Sequence, residues 1–393
     1  MSKLDELIAT LCPDGVEHKE LNSVCEFKNG FSFKSSLFKE TGKPILRITN
    51  IVNGSINNDG LVYFSSDDYT ENLAQYEVKK GDVVVAMSGA TTGKIGYNYS
   101  DDIYYLNQRV GLFVPNETLL NKRFLYHWLV GQSNNIYNVS SGSGAQPNLS
   151  SVKMMQFLIP VPPLEVQCEI VRILDNFTEL ATLLDAELNA RIKQYSEASY
   201  RLLFGNHGTE KVMVKDFCTL TKGKTPIQKA VSGEYPMVVT TMERKTCNTY
   251  QFDTKAVCIP LISSRGHGVA SLNHVYYQEG KFALGNILCA MIPNNENYVS
   301  AKYLYYYFEC TKDYTLVPLM KGGANVAMHI SDIEKVKVPI PPLEVQHSIV
   351  SKLERMEEYY TKVLPAEIEA RKKQYEYYMN KLLTFKSKNS EVC

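Results

Sequence analysis

Two stretches of the chain carry apolar residues at the three- to four-residue spacing of a long helix. The first stripe is Ile170, Leu174, Phe177, Ala181, Leu184, Leu188, Tyr195 and Leu202. The second stripe is Ile349, Leu353, Met356, Tyr360, Val363, Ile368, Tyr375 and Leu382. A stripe sustained over about 40 residues predicts helices of roughly 60 Å that pack along their length.

Both stripes belong to one block that occurs twice. Each copy opens on Pro-x-Pro-Pro-Leu-Glu-Val-Gln, at 160–167 and at 339–346. The prolines predict an extended entry, with Pro163 in the first helical turn, and Glu165 opposes the positive end of the helix dipole. The offset between the copies is 179 at their start and 180 at their end, so the second copy has one inserted residue. Pro365, close to that insertion, predicts a kink or interruption.

The segments before each helical block have a composition typical of β-sheet. They are rich in Gly, Asn, Ser, Thr, Tyr and β-branched residues, and their short apolar runs predict strands separated by turns. The clearest predicted strands are 43–49, 82–87, 111–114, 235–240 and 286–291. An aromatic-rich helix is predicted to close each segment, at 124–129 and at 303–308.

The predicted organisation follows from the block and the segments. The first domain is 1–159, the central helix 160–204, the second domain 205–338, the distal helix 339–385 and the tail 386–393. The stub 1–16 resembles the end of the first helical block: Leu7, Leu11, Glu17 and Leu21 correspond to Tyr200, Phe204, Glu210 and Val214. Cys25 and Gly30 match Cys218 and Gly223 at the same offset of 193. The stub is therefore expected to complete the second block, bringing the chain ends together.

The fold class predicted from these features is α+β. Two mixed, sheet-dominated domains are separated by two long helices, which are expected to form an antiparallel coiled coil in a pseudo-twofold, circular arrangement. Most positions of the two sheet segments differ, whereas the helical blocks agree closely. Two diverged domains on a shared scaffold are expected where each domain recognises something different.

Composition narrows the class of protein. With 393 residues, 44% hydrophobic and 21% charged, the chain has the length of two to four domains and an ordinary globular composition. The mixed, charged start and the lack of any run of about 18 apolar residues predict neither secretion nor membrane spanning. The nine scattered cysteines, without CxxC spacing, are expected to be reduced thiols in the cytoplasm.

Charge argues mildly against an isolated nucleic-acid binder, because the net charge is zero. The balance is uneven: residues 205–338 carry 15 Lys+Arg against 11 Asp+Glu, a difference of +4. Residues 1–159 carry 14 against 16, a difference of −2. DNA binding would therefore depend on particular residues, or on a basic partner.

No catalytic or metal-binding set is predicted. Residues 87–95 resemble a phosphate loop but have three residues between the glycines, and Ile95 replaces the magnesium-binding Ser or Thr, so a glycine-rich turn is the better interpretation. The Pro-Pro motifs lack the flanking residues of an amino-methyltransferase, and the seven histidines are dispersed. The chain is predicted to be non-catalytic and to hold no cofactor.

Hydrogen-bonding side chains do cluster on the predicted loops. Arg and Lys suit guanine edges, Asn and Gln suit adenine edges, and backbone amides of glycine loops suit phosphates. In the first segment the candidates for DNA contact are Lys28, Asn29, Arg47, Ser88, Thr91, Thr92, Lys94, Gln108, Arg109, Gln146 and Asn148. In the second segment they are Lys222, Lys224, Thr241, Arg244, Lys245, Ser263, Arg265, His267, Lys321 and Asn325.

The duplicated PxPPLExQ block, the striped helix ending in Leu-Leu and the two diverged domains resemble the specificity subunit of type I restriction–modification enzymes. The turn 88–94 and the Gly-Ser-Gly-Ala-Gln loop at 142–146 are typical of its target recognition domains. The resemblance covers nearly the whole chain. It implies a reader of double-stranded DNA in which each domain recognises one half of an asymmetric, two-part site.

The resemblance also implies the partners. The helices would set the gap between half-sites and dock two methyltransferase subunits, which use S-adenosylmethionine for N6-adenine methylation, and a motor–nuclease subunit would join for cleavage. The candidate spacer and docking residues are Leu164, Gln167, Ile170, Leu174, Leu184, Leu188, Tyr195, Leu202, Leu343, Gln346, Ile349, Leu353, Ile368, Tyr375 and Leu382.

Three alternatives stay open at this point. The first is a specificity subunit of a methylation-only or type II-like system, which would read DNA in the same way. The second is a structural adaptor whose helices only bridge proteins. The third, a free-standing nuclease or methyltransferase, conflicts with the missing catalytic motifs.

Overall fold

The structure is a computed structural model in which the chain divides into two compact units. Unit 1 comprises Met1–Leu184 and Glu367–Cys393, and unit 2 comprises Asp185–Ala366. Each unit therefore holds one sheet-rich segment together with part of each helical block. The described residues are 2–141, 147–205, 209–241, 243–265, 268–323 and 325–388.

The helices include every one that the sequence predicts. The described elements are α1 (Lys3–Leu11), α2 (Leu21–Val24), α3 (Lys122–Gly131), α4 (Ser133–Asn138), α5 (Ser151–Met154), α6 (Leu164–Phe204), α7 (Val214–Phe217), α8 (Ala301–Thr315), α9 (Ile330–Ile333), α10 (Leu343–Glu358) and α11 (Leu364–Leu382). Helix α6 is the first repeated block, and α3 and α8 are the aromatic-rich helices.

Pro163 lies at the start of α6, close to the first-turn position predicted for it. Pro163 directly precedes the first helical residue, and its carbonyl accepts the amides of Val166 at 3.0 Å and Gln167 at 3.1 Å. Proline has no N–H to leave unpaired at a helix start, so it is well suited to this position.

The second block is irregular where the inserted residue was inferred. A π-helical turn, Tyr359–Val363, joins α10 to α11, and Pro365 is the second residue of α11. A π turn holds one more residue than an α turn, which accommodates the insertion without ending the helix. The predicted stripe member Val363 is the last residue of this turn and is 50% exposed, whereas the next residue, Leu364, is 4% exposed. The assignment of Val363 to the stripe is thus wrong.

Unit 1 contains two main sheets. The strands are β1 (His18–Glu20), β2 (Cys25–Asn29), β3 (Lys43–Leu46), β4 (Ile51–Val52), β5 (Ser55–Ile56), β6 (Val62–Phe64), β7 (Glu77–Val78), β8 (Val83–Ala86), β9 (Ile95–Tyr97), β10 (Tyr104–Leu106), β11 (Val110–Pro115), β12 (Ser140–Ser141), β13 (Asn148–Leu149) and β14 (Leu158–Pro160). One sheet has the order β2-β11-β8-β9-β5-β4, and the other has the order β6-β3-β10-β7.

Unit 2 repeats this plan with fewer strands. They are β15 (Lys211–Met213), β16 (Cys218–Lys222), β17 (Tyr235–Val238), β18 (Lys245–Cys247), β19 (Phe252–Asp253), β20 (Ala256–Pro260), β21 (Tyr276–Gln278), β22 (Lys281–Leu284), β23 (Leu288–Pro293) and β24 (Lys337–Pro339). The sheets have the orders β16-β23-β20-β21 and β18-β17-β22-β19. The central pair is parallel in both units, β3 with β10 and β17 with β22. The mixed, sheet-dominated domains of the α+β prediction are confirmed.

The segment after α1 pairs with the segment after α11 in unit 1, as the stub predicts. The Val16 amide donates to the Lys386 carbonyl at 2.8 Å, and the Lys388 amide donates to the Val16 carbonyl at 3.1 Å. Leu4 of α1 is buried in the same apolar cluster as Met379 at the end of α11. The N-terminal helix thus packs beside the second helical block.

Candidate nucleic-acid interface

The loops nominated in the first sheet segment lie along one edge of unit 1. Strands β3 and β10 run parallel and end together, so the segments that follow them are neighbours. Backbone hydrogen bonds join the other loops to this edge, which we call loop edge 1: 28–31, 47–50, 87–94, 107–110 and 147–149. The joining bonds are Phe31 N to Leu106 O at 2.8 Å, Gln108 N to Phe31 O at 2.8 Å, Asn107 N to Leu46 O at 3.1 Å, Met87 N to Arg109 O at 2.8 Å and Leu149 N to Met87 O at 2.8 Å.

Unit 2 assembles the corresponding edge from equivalent strand ends. Loop edge 2 consists of the described residues within 222–225, 239–245, 261–265, 285–287 and 321–328. The joining bonds are Asn286 N to Thr225 O at 2.9 Å, Gly285 N to Val238 O at 3.0 Å, Leu261 N to Ile287 O at 2.8 Å and Ser263 N to Val326 O at 2.9 Å. Both domains therefore bring together loops that are far apart in the sequence.

A matched glycine lets two loops meet on each edge. A Cβ atom on Gly30 would lie 2.0 Å from the Asn107 carbonyl oxygen, and one on Gly223 would lie 2.1 Å from the Gly285 carbonyl oxygen. Both distances are below any possible contact, so only glycine fits without moving the backbone. Gly30 and Gly223, which match at the offset of 193 in the sequence, thus occupy equivalent positions in the two sheet domains.

On loop edge 1 several predicted side chains are open to solvent: Asn29, Lys94, Gln108, Arg109 and Asn148. Lys28 is half-buried. Arg47 is also half-buried, and its Nη2 donates to the Gly60 carbonyl at 2.6 Å, so its guanidinium is partly used within the domain. Gln146 lies outside the described residues.

The hydroxyl residues of the 88–92 turn are less accessible than predicted. Thr92 is 6% exposed, and its hydroxyl lies 2.7 Å from the Gly89 carbonyl and 2.9 Å from the Pro147 carbonyl. The Thr92 hydroxyl thus joins the turn to a neighbouring loop, and its contact with DNA stays a prediction. The Ser88 and Thr91 hydroxyls are buried and have no hydrogen-bond partner in the described part of the chain.

Loop edge 2 exposes more cations. Solvent reaches Lys222, Lys224, Thr241, Arg244, Lys245, Arg265, Lys321 and Asn325. Arg244 lies over the ring of Tyr276, 4.8 Å from its centroid. The half-buried Ser263 hydroxyl donates to the Val269 carbonyl at 2.5 Å, and its contact with DNA stays a prediction. His267 lies outside the described residues.

Lys and Arg side chains without a carboxylate partner make loop edge 2 positively charged. Within the described ranges, Lys222, Lys224, Lys245, Arg265 and Lys321 form no ion pair with a carboxylate. Unpaired surface cations attract phosphates and release counterions when they bind them. The small positive excess of 205–338 is thus concentrated where the loops converge.

The repeated motif glutamine holds each helical block to its sheet domain. Gln167 is fully buried: its Oε1 accepts the Asn121 amide at 2.8 Å, and its Nε2 donates to the carbonyls of Leu119 at 2.8 Å and Pro162 at 2.7 Å. Asn121 caps α3, so the glutamine joins the start of α6 to the start of α3. We call this arrangement the glutamine clamp.

Unit 2 contains the same clamp. Gln346 accepts the Ser300 amide at 2.9 Å and donates to the carbonyls of Tyr298 at 3.0 Å and Pro341 at 2.7 Å. Every partner is displaced by 179 residues from its counterpart in unit 1. The motif therefore encodes a fixed joint in the chain, and neither glutamine is open to a partner protein.

Five of the other thirteen nominated helix residues are buried, and the remaining eight are half-buried. Ile170, Leu174, Ile349, Leu353 and Ile368 are buried. Their burial is compatible with a spacer role, but buried side chains cannot contact a methyltransferase subunit. The half-buried positions are Leu164, Leu184, Leu188, Tyr195, Leu202, Leu343, Tyr375 and Leu382. Aromatic pairs mark the helix packing in each unit: Phe177 stacks on Tyr378 at 5.1 Å in unit 1, and Tyr195 meets Tyr360 at 5.0 Å in unit 2.

A polar network that the sequence did not reveal connects α3, α6 and α11 in unit 1. His127 is fully buried, with Nε2 2.8 Å from Asp175 Oδ1 and Nδ1 2.9 Å from the Tyr375 hydroxyl. Arg123 Nε donates to the same Asp175 oxygen at 2.7 Å. A neutral imidazole satisfies both contacts if Nε2–H donates to Asp175 and Tyr375 donates to Nδ1. The only sequence signal is the four-residue spacing of Arg123 and His127 on α3.

The charges of this network favour a neutral His127 beside an ionised Asp175. Burial lowers the pKa of His127, and the Arg123 charge lowers it further. Partial burial raises the pKa of Asp175, but the hydrogen bond from His127 and the charge of Arg123 outweigh it and hold that pKa below its usual range. The network is therefore formed at neutral pH.

We predict that acidification destabilises the chain through His127. Since its folded pKa is depressed, the unfolded state takes up the proton first as pH falls below about 6.5, and stability is lost by about 1.4 kcal/mol per pH unit until the folded pKa is reached. Denaturant unfolding at pH 7.5 and 5.5 should show a larger loss for the natural chain than for His127→Gln. Equal losses would contradict this assignment.

Metal and membrane sites are absent from the described residues. No group of three His, Cys, Asp or Glu side chains there is placed to hold a metal ion. None of the described helices combines the length and apolar character needed to cross a bilayer. The eight described cysteines are free thiols, and six of them are buried. Burial raises the pKa of the Cys25 and Cys218 thiols to about 12.

Sequence comparison relates both halves of the chain to one family. The family described as "Type I restriction modification DNA specificity domain" matches residues 13–194 and again 206–370. A Haemophilus influenzae protein named as a type I restriction enzyme specificity subunit is 29% identical over 91% of this chain and all of its own length. The Escherichia coli EcoR124I/EcoR124II specificity subunit is 28% identical over 69% of this chain and 72% of its own.

Solved structures share the fold at low sequence identity. The S subunit of a type I restriction–modification system from M. genitalium aligns over 93% of this chain and 96% of its own, with a TM-score of 0.53 and 14% identity. A chain from a structural study of type I complex assembly and conformational transition aligns over 94% and 97%, with a TM-score of 0.60 and 17% identity.

Proposed function

Because this chain belongs to the family of type I restriction–modification DNA specificity subunits, we propose that each of its sheet-rich domains reads one half of a two-part, asymmetric DNA site. The observation that carries the proposal is the pair of loop edges, built from equivalent strand ends but bearing different side chains. One scaffold with two sets of readers suits two different half-sites. The chain itself would recognise DNA and leave the chemistry to partners.

Each edge offers the chemistry that base reading requires. Loop edge 1 presents Asn29, Gln108 and Asn148, whose amides suit adenine, beside the cations Lys94 and Arg109. Loop edge 2 presents mainly cations, which suit guanine edges and phosphates. This difference favours unequal half-sites, with the second domain supplying more of the salt-dependent affinity.

The helices would set the gap between half-sites. Helix α6 has 41 residues, which corresponds to about 60 Å. Reading two sites on one face of DNA requires centres about 34–36 Å apart, a separation that a helix of this length can support. The two glutamine clamps fix the point at which each block leaves its sheet domain.

The proposed partners follow from the family. Two methyltransferase subunits would bind the helical blocks and methylate adenine at N6 with S-adenosylmethionine, which this chain would not hold. Motor–nuclease subunits would join for cleavage. The complex would act in the cytoplasm. Partner subunits would also supply phosphate contacts, which offsets the zero net charge of this chain.

Exchanging residues 205–338 for the corresponding segment of a related subunit tests this function. Genome-wide mapping of N6-methyladenine in the host should then show one half of the site changed, with the other half and the gap retained. A matched exchange of 17–159 should change the opposite half. Unchanged sites after both exchanges, or methylation by the isolated chain, would refute the proposal.

A further inference from the structure

One carboxylate in unit 1 joins the sheet domain to both helical blocks. Asp175 belongs to α6, Arg123 and His127 belong to α3, and Tyr375 belongs to α11. The same Asp175 oxygen accepts from Arg123 at 2.7 Å and from His127 at 2.8 Å. The other ring nitrogen of His127, Nδ1, lies 2.9 Å from the Tyr375 hydroxyl. Loss of Asp175 would therefore weaken all the polar links together.

The network also reaches the sheet that carries loop edge 1. The Arg123 guanidinium lies 4.5 Å from the Tyr97 ring centroid, 4.9 Å from that of Tyr99 and 4.4 Å from that of Tyr126. Tyr97 ends strand β9, whose neighbour β8 leads directly into the 87–92 turn. A guanidinium that packs against aromatic rings is restricted in its orientation as well as its position. Arg123 therefore orients the sheet relative to α6.

The corresponding positions of unit 2 form two separate pairs. Lys302 binds Glu354 at 2.6 Å, and the Tyr306 hydroxyl donates to Glu357 at 2.8 Å. Lys302 and Glu354 are each about two-fifths exposed, at 40% and 42%. The Asp175 side chain is itself 40% exposed, so exposure does not distinguish the two units. The difference is that one Asp175 oxygen accepts from both Arg123 and the fully buried His127, whereas in unit 2 the two hydrogen bonds go to two different carboxylates. Hydrogen bonds that share a group strengthen one another. Unit 1 is thus the unit in which linked hydrogen bonds join the sheet domain to the helices.

We propose that Arg123, Asp175, His127 and Tyr375 form a positioning network that fixes how loop edge 1 is carried on the helices, and thereby restricts the gap length at which both half-sites are read. This inference rests on the proposed function. The apolar packing around α3 alone would hold the domain in place but would tolerate small rotations, because apolar contacts are not directional. A rotation of the domain would displace its loop edge along the DNA.

The test uses Asp175→Asn and Tyr375→Phe, which preserve side-chain shape, in the full chain expressed with its methyltransferase subunits. Tyr314→Phe is the control, because Tyr314 is 82% exposed and outside the network. Genome-wide N6-methyladenine mapping reports the half-sites and the gap separately. The network variants should keep both half-sites but discriminate between the natural gap and gaps one base pair longer or shorter about two- to tenfold less well, the effect of one or two hydrogen bonds.

Unchanged gap discrimination in both variants would overturn the inference. So would an equal loss of methylation at every gap length, because that is the result expected of a merely structural role. If Asp175→Asn fails to fold, Tyr375→Phe decides alone, since it removes only a hydroxyl. Absence of any two-part site with the natural chain would instead refute the proposed function, so the two failures are distinguishable.

Discussion

Replacing Gln167 by leucine is expected to lower the free energy of unfolding of unit 1 by about 3–6 kcal/mol. The substitution deprives the Asn121 amide and the carbonyls of Leu119 and Pro162 of their partner inside the protein. Each buried group left without a hydrogen bond costs about 1–3 kcal/mol, and the added apolar surface recovers part of the total. Domains are stable by only about 5–15 kcal/mol, so the loss is large.

Denaturant unfolding of the full chain measures this effect, and the duplicated block supplies its own controls. Gln346→Leu should cost a similar amount in unit 2, where the same three bonds are made. Gln194→Leu should change stability by less than about 0.5 kcal/mol, because Gln194 is exposed and, within the described residues, its side chain accepts a hydrogen bond from Arg191 alone. A cost below about 1 kcal/mol for Gln167→Leu would show that the clamp is dispensable.

Alanine at Gly223 is expected to abolish reading of one half-site while leaving the other domain intact. The new Cβ would lie 2.1 Å from the Gly285 carbonyl oxygen, so the two loops that meet there must separate. Overpacking of this kind costs about 1–3 kcal/mol, and it displaces the segments that present Lys222 and Lys224. Site-specific methylation should fall at least about tenfold, since the two proposed base or phosphate contacts would be displaced together.

The control is Gly323→Ala on the same edge. A Cβ atom on Gly323 would have no atom of the described residues within 4 Å, and the backbone there is not left-handed, so alanine fits. Methylation should stay at the natural level for this variant. If Gly223→Ala methylates the natural site at an undiminished rate, the close approach of the two loops is not required for recognition.

The helices and strands follow from local patterns, and the sequence predicted them well. The spacing of apolar residues in α6 and the proline before it specify a helix without reference to any distant residue. The one-residue offset between the copies located the π turn, because an inserted residue must either break a helix or widen one of its turns. Val363 was misassigned because it lies in that turn, where the buried position falls on the next residue, Leu364.

The site was only partly predictable. The sequence located the loops, because turn residues and unpaired polar side chains are local features. Their contact with DNA stays a prediction. The sequence did not show that Thr92 and Ser263 turn inward to bind neighbouring backbone, or that Gln167 and Gln346 are buried clamps. Such bonds depend on segments that meet only after folding.

The sequence by itself therefore determined that this protein has two similar halves, two long helical blocks and two diverged sheet domains. Tertiary structure decided which side chains face outward together. The parallel pairs β3–β10 and β17–β22 bring distant strand ends to one edge, and that pairing is non-local. The network of His127, Asp175 and Tyr375 likewise joins residues up to 248 positions apart, a separation that no local periodicity encodes.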